Sequence, residues 1–156
     1  MNILIGIGNP LKGDDAIGIY IAEKFKSEIS KDKTLRKKWF VLSCETAIEN
    51  FSKVVKKKKP ENLIIIDAAE FSLTAGKFRK FQTDKISSKG LGTHSMPIFY
   101  FIEYIKPYVK NKIFFIGIQI KRSDFGTGIS KELKKSSKEI IEILKDEKFD
   151  EIRDLD

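Results

Sequence analysis

The sequence predicts a single-domain α/β fold: a three-layer sandwich with a mostly parallel, twisted sheet of about five strands and helices on both faces. Three observations predict it. Short apolar runs alternate along the chain with segments whose apolar residues recur at helical spacing. The strongest run, Leu63-Ile64-Ile65-Ile66, has no polar face at all, as expected of a strand buried on both sides at the centre of a sheet. No repeat or linker divides the 156 residues, a length that buries a core without covalent staples.

The elements follow in order. Ile3-Leu4-Ile5 and Ile7 form a first buried strand, broken by the turn chemistry of Gly8-Asn9-Pro10. Asp14 stands where a helix N-cap belongs, with Asp15 in or beside the first turn. A helix from about residue 14 to 27 carries Ile17, Tyr20, Ile21 and Phe25 on one face. After a polar connection at 30–33, Trp39-Phe40-Val41-Leu42 reads as a second strand. Thr46 is placed to cap a helix bearing Ile48, Phe51, Val54 and Val55, which ends in four lysines before Pro60. The central strand ends in Asp67-Ala68-Ala69-Glu70. Residues 76–82 set Phe78 and Lys80 on one side and Lys77 and Arg79 on the other, a period-two pattern with exposed cations that fits an edge strand, with antiparallel pairing open to it. A loop at 85–92 delivers Thr93-His94-Ser95-Met96-Pro97 to a helix with Ile98, Phe101, Ile102 and Ile105 inward. The last strand spans 112–119. A loop at 120–129 follows, and Ser130 caps a final helix with Leu133, Ile140, Ile141 and Leu144 inward. The charged tail from about residue 146 is expected to pack loosely.

Bulk properties exclude several classes. One cysteine, Cys44, rules out a disulfide framework and a cysteine metal cage, and favours a cytoplasmic home. No apolar run is long enough to span a membrane, and the first residues lack the basic-then-apolar order of a signal peptide. The net charge of +8 permits an acidic partner. The basic stretches lack interleaved aromatics, however, so a solvated lysine surface is the simpler account and nucleic acid is not an expected partner.

The loop after the first strand carries the chemistry. A dinucleotide fingerprint needs a third glycine where Leu11 stands. A phosphate-cradling loop needs Lys and Ser/Thr after its last glycine, but Asp14 and Asp15 follow Gly13. Two carboxylates there repel phosphate and suit a cation or acid–base work. In a parallel sheet the ligand crevice lies beyond the strand C-termini. Asp15, Asp67 and His94 all leave the chain on that side, and together they make an incomplete cage for a divalent transition metal, with positions left for water or substrate. Each has a plainer reading alone: a helix cap, a strand-end turn aspartate, a lone structural histidine. Cys44, on the same rim, is accounted for as a small buried residue.

The run from Gly6 to Gly18, Gly6-Ile7-Gly8-Asn9-Pro10-Leu11-Lys12-Gly13-Asp14-Asp15-Ala16-Ile17-Gly18, resembles the opening of the hydrogenase maturation endopeptidases. Glu45-Thr46-Ala47-Ile48-Glu49-Asn50, Ile66-Asp67-Ala68-Ala69, Thr93-His94-Ser95-Met96-Pro97 and Gly117-Ile118-Gln119 agree with that family in order and spacing. Within that family the chain resembles the processor of the formate-hydrogenlyase hydrogenase or the archaeal processors of cofactor-reducing hydrogenases. Ala16 stands where many relatives have glycine, and Cys44-Glu45 replaces a frequent glycine pair. The resemblance implies one endoproteolytic cut, removing the C-terminal extension of a [NiFe] hydrogenase large-subunit precursor once nickel is loaded. It implies that Asp15, Asp67 and His94 contact that nickel, carried by the substrate, and serve as the catalytic set. Another divalent metal is expected to suit the same site in the isolated protein. It further implies an aspartic-type or metal-dependent hydrolase, expected to be a cytoplasmic monomer with no membrane insertion. Two rival expectations stand beside it. Gly6-Ile7-Gly8-Asn9-Pro10 is also similar to the start of peptidyl-tRNA hydrolases, but that family needs a histidine soon after the motif, and the only one here is His94. The other rival is a non-catalytic metal-binding maturation factor.

Overall fold

The computed structural model describes residues 1–45, 47–81, 83 and 95–155, with only the backbone of 95–97. Five strands form one sheet: β1 (Asn2–Ile7), β2 (Trp39–Cys44), β3 (Asn62–Ala69), β4 (Phe78–Phe81) and β5 (Lys112–Gln119). Their order is β2-β1-β3-β5-β4. The first four neighbours in that order run parallel, and β4 alone pairs antiparallel, with Phe78 opposite Ile118. The run of branched residues thus lies in the central strand, as its sequence predicts.

Among the described residues, five α-helices cover the sheet: α1 (Ile17–Lys31), α2 (Lys33–Lys38), α3 (Ser52–Lys58), α4 (Ser95–Ile105) and α5 (Lys131–Lys145). Alternation along the strands divides the apolar residues between two cores. Leu4, Ile64, Ile66, Ile116 and Ile118 meet Ile17, Ile21 and Phe25 of α1 and Leu133, Ile140 and Leu144 of α5. Ile3, Ile5, Leu63, Ile65 and Phe115 meet Val55 of α3 and Ile98, Ile102 and Ile105 of α4. Helices therefore lie on both faces, and the three-layer architecture stands.

Four local expectations need correction. The first helix does not begin at Asp14. Gly13 takes φ +54° and starts a 3₁₀ turn, Gly13–Ala16, so α1 begins at Ile17 with Ala16 at its N-cap position and no side-chain cap. The connection at 30–33 holds a cap that the sequence reading missed: Asp32 accepts hydrogen bonds from Thr34 N at 2.8 Å and Leu35 N at 3.1 Å, and so starts α2. Asp67 does not end β3, because the ladder with β5 continues through Ala69 opposite Gln119. Finally, the tail from residue 146 is not loose. Phe149 and Ile152 are buried, and the Phe149 ring lies edge-on to Trp39, 5.8 Å between centroids. Lys80 N donates to Arg153 O and Leu155 N to Lys80 O, so the tail docks on the outer edge of β4. Charge is no bar to packing when the apolar residues of a polar stretch share one face.

Thr46, expected as a helix cap, lies outside the described residues. The 3₁₀ turn Ile48–Phe51 that precedes α3 has Ala47 at its N-cap position. Among the described residues, no helix is long and apolar enough to cross a membrane.

Candidate active site

The C-terminal rim of β1 and β3 is built around a close approach. These strands are parallel neighbours, with Gly6 opposite Ile66, so the first loop and Asp67 emerge at the same end of the sheet. A Cβ on Gly18 would lie 2.2 Å from Ile7 O and 2.5 Å from Ile66 O. Only glycine lets α1 start this near the strands. The same closeness brings the Gly13–Ala16 turn against β3. Asp15 is held there through its backbone, its N donating to Lys12 O at 3.1 Å and its O accepting from Asn9 N at 3.3 Å.

Asp15 is 7% exposed and Asp67 is wholly buried. Strand alternation puts Asp67 on the face of Leu63, Ile65 and Ala69, which α3 and α4 cover. Ala68 N donates to Asp67 Oδ1 at 2.8 Å. A buried carboxylate on a central strand carries a large desolvation cost unless protons, donors or a cation compensate it. Two such groups, one in the turn after β1 and one near the C-terminal end of the adjacent β3, suit a cation or proton transfer.

The third residue of the expected trio, His94, lies outside the described residues, so its meeting with the two aspartates is neither seen nor contradicted. Among the described residues no three His, Cys, Asp or Glu side chains converge as a metal site. Cys44 is buried, and its carbonyl accepts from Gly8 N at 3.1 Å, tying β2 to the first loop.

Two residues that organise the rim were not singled out for these roles by sequence. Asp14 is fully buried and is no helix cap. Its Oδ2 accepts from Lys121 N at 2.9 Å, Arg122 N at 3.1 Å and Ser130 Oγ at 2.9 Å, and its Oδ1 accepts from Ser130 N at 2.7 Å. Ser130 does precede α5, as expected, but its hydroxyl serves Asp14 and makes no cap bond. Gln119, at the end of β5, accepts from Phe71 N and Leu73 N and donates to Glu70 Oε1, fastening the loop after β3. The partners of Asp14 are more than 100 positions away. Sequence offered one clue: an acid pair of which only one member is needed as a cap.

A parallel α/β sheet with buried carboxylates on the C-terminal rim defines a class of single-domain ligand-site proteins, and comparison narrows it. Residues 19–147 match the family model described as hydrogenase maturation protease. The chain is 30% identical over 119 residues to the hydrogenase 3 maturation protease of Escherichia coli K12, covering 76% of this chain and 72% of that protein. It is 32% identical over 144 residues to a Methanocaldococcus jannaschii protein provisionally named a hydrogenase maturation protease, covering 91% and 85%. The solution structure of the endopeptidase HycI from Escherichia coli superposes with a TM-score of 0.85 at 25% identity, over 100% of this chain and 97% of that one. The crystal structure of the [NiFe] hydrogenase maturation protease HycI from Thermococcus kodakarensis gives 0.79 at 26%, over 93% and 90%. The chain belongs to the hydrogenase maturation protease family. The peptidyl-tRNA hydrolase alternative finds no support among these relatives.

Proposed function

We propose that this chain cuts the C-terminal extension from a nickel-loaded [NiFe] hydrogenase large-subunit precursor, in the cytoplasm and as a monomer. Family membership supports the reaction class. The observation that carries the site is the pair of buried aspartates, Asp15 in the turn that follows β1 and Asp67 near the C-terminal end of the adjacent parallel strand β3. With His94 they supply two hard oxygen donors and one imidazole, a set that suits nickel. The nickel is part of the substrate, so the residues act as a reader of loading. Loaded nickel would bring a cation against the two buried carboxylates, and a precursor without it is expected to bind more weakly for lack of that attraction.

Cleavage in this reading is hydrolysis. Water adds to the scissile carbonyl, a carboxylate of the site takes the water's proton, and the C–N bond breaks as the leaving amine is protonated. The bound nickel brings positive charge to the developing oxyanion. Asp15 and Asp67 orient the substrate and move the proton. The experiment is direct: incubate the protein with nickel-loaded and nickel-free precursor and follow the large subunit's mass. Shortening of the loaded form alone is expected. Equal cutting of both forms would remove the metal-reading role, and bound metal without any cutting would leave a non-catalytic maturation factor.

A further inference from the structure

The geometry points to Asp14 as a positioning residue for substrate docking. Its buried carboxylate locks the loop after β5 onto the first loop, so that Leu11 and Phe125 stand as one apolar platform beside Asp15. This rests on the proposed processing activity, since the occupant of the platform is the folded precursor itself.

Four donors from Lys121, Arg122 and Ser130 converge on one carboxylate that is wholly excluded from solvent. The backbone reciprocates, with Asp14 N donating to Arg122 O at 2.9 Å. The loops touch again further out, where Gly126 N donates to Leu11 O at 3.1 Å and Lys12 Nζ lies 5.8 Å from the Phe125 ring centroid. A Cβ on Gly13 would stand 2.6 Å from Thr127 Oγ1. Two loops this firmly joined present their most exposed large apolar residues together, Leu11 at 69% and Phe125 at 71%. A groove of about 500 Å³ lies between α1 and the second loop, lined by Pro10, Ala16, Tyr20, Thr127 and Ile129. Apolar side chains held rigidly in water mark a contact surface, and this one is continuous with the turn that bears Asp15. A precursor seated on it would present its extension to the rim.

Asparagine at position 14 keeps the shape but turns one oxygen into a donor. Whichever way the amide lies, at least one N–H or O–H donor faces another. In Asp14→Asn, KM for nickel-loaded precursor is expected to rise about tenfold with kcat within about threefold. Phe125→Ala is expected to do the same, and the double variant to be no worse than the larger single effect, since both act through one platform. Amides of Lys121, Arg122 and Ser130 are expected to exchange hydrogen about 100-fold faster in Asp14→Asn. If that variant does not fold, Ser130→Ala removes one donor and keeps three, and the same comparisons apply with smaller rises. Multiplying KM effects, a fall in kcat with KM unchanged, or unaltered exchange would each overturn the proposal. Wild-type protein that cuts no loaded precursor sinks the functional reading and the docking role together, while the exchange comparison judges the lock independently of cleavage.

Discussion

At the scale of single residues, three aspartates near the rim are all buried and are told apart by what surrounds them. Asp14 accepts from three backbone amides and the Ser130 hydroxyl, whereas Asp15 and Asp67 are the buried carboxylates proposed for the reaction. Asp67→Asn keeps the side chain's shape and its acceptor for Ala68 N, but removes a charge that a cation or proton would use. It is expected to lower precursor processing at least about 100-fold with the far-ultraviolet circular dichroism unchanged. Retained processing would remove Asp67 from the catalytic set. Gly13→Ala tests the turn. It places a Cβ at φ +54° and crowds Thr127, and is expected to cost about 2 kcal/mol in urea titration. Sequence made Asp15 and Asp67 legible because acids next to apolar runs are conspicuous. It could not assign Asp14, whose donors are three backbone amides and one distant hydroxyl, because backbone amides leave no mark in the sequence.

At the scale of elements, the seat of α1 on β1 and β3 fixes the first loop. Gly18→Ala would drive a methyl into Ile7 O and Ile66 O, and α1 would have to move off the strands. A loss of about 3 kcal/mol in thermal or urea unfolding is expected. Every strand was readable from the sequence, because a buried strand advertises itself by apolar run or by alternation. Element ends were less so. The ladder beyond Asp67 continues because β5 is there to pair with it, and pairing is non-local. The docked tail was missed for a similar reason: Phe149 meets Trp39 and Phe114, partners far back in the sequence. Phe149→Ala is expected to cost about 3 kcal/mol, whereas a loose tail would make it neutral.

At the scale of the whole molecule, surface carboxylates with hydrogen-bond or lysine partners link elements and contribute modestly to the acid limb of stability. The Ser43 hydroxyl, donating at 2.5 Å, holds the Glu23 carboxyl below its usual range and links α1 to β2. Lys121 lowers Glu132, and Lys112 lowers Asp150. A carboxyl with a depressed folded pKa stabilises fully above its unfolded value, near 4.5 for Glu and 3.8 for Asp, and this is lost as pH falls through the lower folded value. Stability is therefore expected to be flat from neutrality to about pH 5 and to fall below it, with Ser43→Ala raising the Glu23 pKa in a carbon-detected titration. The two lysine pairs are solvent-facing, so salt should weaken them.

The bond set of Asp14 also governs how such enzymes can be recombined. A chimera that imports only the 121–130 segment from a relative must supply the same amides at the same places, or it strands a desolvated charge inside the host. The two loops form one heritable cassette, to be exchanged as a pair if substrate choice is to be transplanted without loss of the fold.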